Sequence, residues 1–93
     1  MSLTLQNPLK DPSAVLDYVF DWNEWLATGE TITDHTITAD TGITVDSSTE
    51  DDGKVTVWLS GGTAGTTYRV ECLIVTTAGR TDERSLWITV QER

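Results

Sequence analysis

The stretch Trp58–Gly79, WLSGGTAGTTYRVECLIVTTAG, decides how the rest of the chain is read. It is entered on the alternation Val55, Val57, Leu59, breaks at Gly61, Gly62 and Gly65, and resumes with Tyr68, Val70, Cys72 and Ile74, each two residues apart. A repeat of two sends alternate side chains to opposite faces, which is the pattern of a strand with one face in a core. Two strands therefore flank a glycine-rich corner, and a tyrosine opens the second.

A tyrosine so placed resembles the tyrosine corner of immunoglobulin-like and fibronectin-type sandwiches. There the phenol hydroxyl bonds backbone upstream and pins the chain as it crosses between sheets. Tyr68 fits that role with Gly65 in the corner, and its partner is expected in or near residues 59–65. An ordinary strand tyrosine after a flexible loop is the alternative.

Downstream, residues 78–81 form a glycine-bearing hairpin loop, and a last strand over about 83–91 alternates Leu86, Ile88 and Val90. Upstream, residues 54–60 are a strand, 47–53 (SSTEDDG) an acidic loop, and 43–46 a short strand entered by a turn at Asp40, Thr41 and Gly42. Ile32 and Ile37 lie five apart, so only a bulge near Asp34 and His35 puts both on one face. Residues 15–22 (VLDYVFDW) alternate, with either Leu16, Tyr18, Phe20 and Trp22 or Val15, Val19 and the intervening aspartates on one side. The aromatic set is the more apolar and turns inward, which leaves Val15, Asp17, Val19 and Asp21 outward. Asp21 and Asn23 can cap a single helical turn that closes at Gly29.

Pro8 and Pro12 mark residues 1–12 as an extended lead-in to a domain over 13–93, with Ser2 to Asp11 expected to order along a neighbour. Short strands at fairly regular intervals, with no helix of ten residues, predict an all-β fold. We expect a single immunoglobulin-like or fibronectin-type antiparallel β-sandwich of about seven strands. Phe20, Val57, Leu59, Tyr68, Val70, Cys72, Ile74, Leu86, Ile88 and Val90 should be its core.

Ninety-three residues suffice for one core and not for two, and 38% hydrophobic against 23% charged residues excludes disorder throughout. The formal charge of −9, from 15 acidic and 6 basic residues, argues against nucleic acid and anionic membranes as partners. The opening lacks the basic and apolar regions of a signal peptide, so synthesis in a host cytoplasm is expected. Cys72, between Val70 and Ile74, reads as a small core hydrophobe.

No residue set selects a chemistry. His35 is the single histidine, and no nucleophile elbow accompanies it. One His and one Cys cannot fill a zinc shell. Asp46, Glu50, Asp51 and Asp52 lack the spacing of a calcium loop and read as a solvated turn. Gly61, Gly62 and Gly65 precede a strand and no Lys-Ser/Thr pair, which argues against a phosphate cradle. Catalytic, metal and cofactor residues are therefore expected to be none.

The four tryptophans divide. Trp22 and Trp25 flank the first turn and should fill or close the core. Trp58 and Trp87 each sit between inward residues and so belong on outer faces. With Leu73 and Val75, interrupted by Glu71 and Thr89, they are the candidate interface. The opposite strand register would bury them instead.

The words LDYVFDWNEWL (16–26), VWLSGGTAGTTY (57–68) and TTAGRTDERS (76–85) resemble a family of small proteins of tailed bacteriophages and prophages, over about residues 10–91. These are described as fiber-tail adaptor or immunoglobulin-like structural proteins. The resemblance implies a non-enzymatic virion protein connecting tail and fiber, with tail, fiber or capsid proteins as partners and self-association in a symmetric assembly open. Capsid decoration with the same fold, or a carbohydrate-binding module stacking sugars on Trp58 or Trp87, are the alternatives; glycan binding is the less favoured.

Overall fold

The computed structural model of the protein describes residues 9–92. Its strands are β1 (Leu9–Lys10), β2 (Leu16–Asp21), β3 (Ile32–Ala39), β4 (Ile43–Asp51), β5 (Lys54–Gly61), β6 (Thr67–Thr76) and β7 (Thr81–Val90). They form two sheets, β1-β7-β6-β3 and β2-β5-β4. The three-stranded sheet and the β7-β6-β3 trio match the B-E-D and G-F-C strands of the immunoglobulin arrangement. Six strands are full length, and all pairings among them are antiparallel; the two-residue β1 pairs parallel with β7.

The register is the one that the alternation predicts. Val55, Val57 and Leu59 of β5, Val70, Cys72 and Ile74 of β6, and Ile88 and Val90 of β7 are fully buried, and Phe20 and Tyr68 nearly so. Leu86 and Leu16 depart from expectation. Leu86 is half-buried and Leu16 is 37% exposed. Leu16 lies on β2, the edge strand of its sheet, and Leu86 on the stretch of β7 beyond the two residues that β1 pairs, so both sit where the core thins toward a sheet edge.

The bulge required by Ile32 and Ile37 is present one residue earlier than expected. Ile32 pairs with Thr76 and Asp34 with Val75, leaving Thr33 as the extra residue. Ile32 is then buried, and Ile37 packs against the core. The helical turn also forms: Trp25 and Leu26 donate to the Trp22 carbonyl, and Asp21 Oδ1 accepts the Asn23 N–H.

The segment 47–53 corrects the sequence reading. Ser47–Asp51 continue β4, and only Asp52 and Gly53 turn, with φ of 54° and 82°. Two consecutive positive-φ residues are the two-residue hairpin that an Asp-Gly pair favours. The strand is polar because it is a sheet edge with one face in water, and acidic residues on an edge discourage pairing with other chains. A second bulge at Asp46 resets its alternation.

Lys10, within the stretch read as a lead-in, is fully buried. Its ammonium donates to the Gly61 carbonyl at 2.7 Å and the Asp11 carbonyl at 3.0 Å, tying β1 to the end of β5. Residues 2–8 of the expected contact arm lie outside the described residues.

Candidate protein interface

The corner fixes how the two sheets are joined. Thr63, between β5 and β6, donates its backbone N–H to Tyr68 Oη at 2.9 Å, within the stretch where that partner was expected. The Thr63 side chain and its N–H hold the Tyr68 pKa below the usual tyrosine value. Gly65 has a φ of 90° and donates to the Val90 carbonyl at 2.7 Å, but nothing lies within 4 Å of where its Cβ would be. The ring is instead flanked by Gly42, where a Cβ would come within 2.9 Å of Tyr68 Cε2, and by Gly62, within 3.5 Å of Cε1.

One end of the sandwich is closed by aromatic rings and cations. Trp22 is buried, and Trp25 meets it edge-on at 5.5 Å. The Arg84 guanidinium lies 4.2 Å from the Trp22 ring centroid and Arg80 4.0 Å from that of Trp25. Glu30, a buried carboxylate, accepts hydrogen bonds from Arg80, from Thr76 Oγ1 and from the Ala27 N–H. Arg80 first, then Thr76 and Ala27, lower its pKa from 4.5 to about 2 against the opposing effect of burial. Burial raises the Cys72 thiol pKa, which the Trp22 indole and the Arg84 charge partly offset.

Other polar groups are also engaged in the fold. A cleft of about 320 Å³ is lined by Leu26, Glu30, Glu50 and Asp52 among others, yet Glu30 is held as above and Glu50 accepts the Gly53 N–H. His35 Nε2 lies 3.1 Å from Ser48 Oγ and ties β3 to β4 across the sandwich, while Asp34 accepts the His35 backbone N–H rather than its imidazole. Asp46 accepts from Ser60. Among the described residues no three His, Cys, Asp or Glu side chains are grouped as a metal would need. Among the described residues no helix is long and apolar enough to cross a membrane.

The outer faces are where unsatisfied apolar surface remains. On the four-stranded sheet Trp87 is 48% exposed, directly opposite Arg69 on β6. The Arg69 guanidinium lies 5.9 Å from the Trp87 centroid and is steered by Ser85 Oγ at 2.9 Å and Glu71 at 3.6 Å. Leu73 and Val75 share this face but are half-buried, because β3 and β7 flank them on both sides. The Glu71–Ser85 row separates them from Trp87, so the apolar stripe is interrupted.

Trp58 is on the opposite side of the molecule, 42% exposed on the three-stranded sheet. It pairs with Asp17 of β2, and that pairing sets it diagonally beside Val19, which is 52% exposed. Val15, 55% exposed and one residue ahead of β2, shares their parity. The sequence put Val15 and Val19 outward, but only the β2–β5 pairing brings them to Trp58.

A family model described as podophage GP4 fiber-tail adaptor protein gp77 matches residues 10–89. The chain belongs to this family. The match spans the sandwich from β1 almost to the end of β7, including the corner and both exposed tryptophans. The family is one of phage structural proteins, as the resemblance implied. No curated protein matches the chain.

Proposed function

We propose that this fiber-tail adaptor family member is a non-enzymatic connector, joining tail and fiber in the virion by protein contacts through an outer sheet face. The observation that carries the reading is Trp87, a large aromatic side chain left half in water on the outer face of a regular two-strand ladder. Aromatic side chains of this kind, partnered by an arginine, are the residues that dominate binding energy at protein interfaces. Leu73 and Val75 extend the face, and a stable contact would cover roughly 1,000 Å² or more in total. Arg69 competes with any sugar for the Trp87 ring, which favours a protein partner over a glycan.

Replacing Trp87 with Ser removes an exposed side chain and leaves the core intact. The variant should unfold at the parental temperature and be incorporated into virions at about a tenth of the parental copy number or less. A folded variant incorporated at parental stoichiometry excludes Trp87 as an anchor, and parental protein missing from purified virions discards the connector.

A further inference from the structure

We propose a second docking surface on the outer face of the three-stranded sheet, centred on Trp58, Val15 and Val19, whose occupant is a basic segment of another virion protein. This deepens the connector reading and rests on it for the partner's being in the particle.

The apolar centre comes from geometry. Four of the five large hydrophobic side chains exposed among the described residues are Val15, Leu16, Val19 and Trp58. Three of these share the outer face around the Asp17–Trp58 pair. Cross-strand diagonal neighbours lie within reach of an aromatic ring, so Trp58 and the two valines form one patch. The opposite face has Trp87 alone, with Arg69 over it.

The chemistry of the occupant comes from the rim. Asp17 sits beside Trp58, and Asp46 is held against the outward Ser60. Beyond Thr56, Lys54 is flanked by Asp21 on β2 and Asp51 on β4. Four carboxylates therefore surround the patch with one lysine among them. A second copy would bring the same acidic rim against this one, in a chain that already carries −9. Like charges so juxtaposed suppress association, and a partner with Lys or Arg around an apolar centre is what the field attracts.

The test compares copies per virion for the parent, Trp58→Ser and the double variant Asp17→Lys/Asp51→Lys. Asp21 and Asp46 are left alone because they hold the turn and Ser60. Thermal unfolding checks folding, and Asp17→Asn/Asp51→Asn replaces the reversed pair if that fails to fold. Trp58→Ser and the charge reversal should each lower incorporation about tenfold or more, with a smaller fall for the neutral pair. Unchanged incorporation of Trp58→Ser overturns the surface. Unchanged incorporation after charge reversal means a neutral partner, and increased incorporation means a second copy; either overturns the basic occupant. Parental protein missing from virions instead defeats the connector reading, so the two failures are distinguishable.

Discussion

Tyr68 and Glu30 show how single polar groups hold an otherwise apolar sandwich. Removing the Tyr68 hydroxyl leaves the Thr63 N–H without its acceptor, so Tyr68→Phe should lower the melting temperature by about 5 °C. An unchanged melting temperature would reduce Tyr68 to ordinary packing. Gly42→Ala should cost more, about 1–3 kcal/mol, because it places a methyl group against the ring at a φ of 112°. Gly65→Ala bears the φ strain without the clash and should be the milder of the two. Glu30 makes stability depend on pH in a definite direction. Its carboxyl has a folded pKa of about 2 against 4.5 ordinarily, so between those values the unfolded chain binds a proton that the folded chain does not. Its contribution is full above about pH 4.5 and is lost as pH falls to about 2. In urea titrations across that window, Glu30→Gln should show a shallower pH dependence than the parent, and equal slopes would remove Glu30 from the account.

At the scale of elements, the sequence shows strands wherever one face is dry. In β5, β6 and β7 the alternation is unbroken, and the inward set follows from it directly. Segment 47–53 misleads because β4 is an edge strand, whose inward Ser48 and Glu50 are polar and whose parity is reset by the bulge at Asp46. An Asp-Gly pair was the available signal for a two-residue turn rather than a loop. The proposed interface residues were legible one strand at a time: Trp58 and Trp87 are outward by parity, but contiguity depends on which strands neighbour one another. The interruption at Glu71 is legible along β6 itself, whereas the Val15–Val19–Trp58 patch was missed because it needs the β2–β5 pairing. The β4–β5 hairpin makes a prediction of its own. Gly53 has a φ of 82°, and a Cβ there would fall 2.2 Å from Asn23 Oδ1, so Gly53→Ala strains the hairpin and displaces the capped turn together. A loss of about 1–3 kcal/mol is expected in chemical denaturation, and parental stability would show that the hairpin adapts freely.

For the whole molecule, charge and fold act in opposite senses. Fifteen acidic residues against six basic ones give a surface that repels itself, and such repulsion keeps a protein soluble while destabilising its compact state. The ion pairs among the described residues offset little of this. Arg69–Glu71 is solvent-exposed at 3.6 Å, and Arg80–Glu30 is the one with a buried member. An exposed pair contributes little and is screened by salt, whereas a pair with a desolvated carboxylate is screened much less. Repulsion should therefore lose more than attraction when salt is added. Raising sodium chloride from about 0.01 M to 0.15 M shortens the Debye length from about 30 Å to 8 Å. The longer length exceeds the 17 Å extent of the molecule and the shorter is well below it, so carboxylates on opposite faces of the sandwich cease to interact. The melting temperature should rise over this range by a few degrees and then level off. A fall would mean that attractive pairs dominate the surface field. Docking of the acidic Trp58 face on a basic partner responds with the opposite sign, since the same ions screen an attraction there. One salt series thus separates the two roles of the charge: the isolated sandwich becomes more stable while its hold on a basic partner weakens.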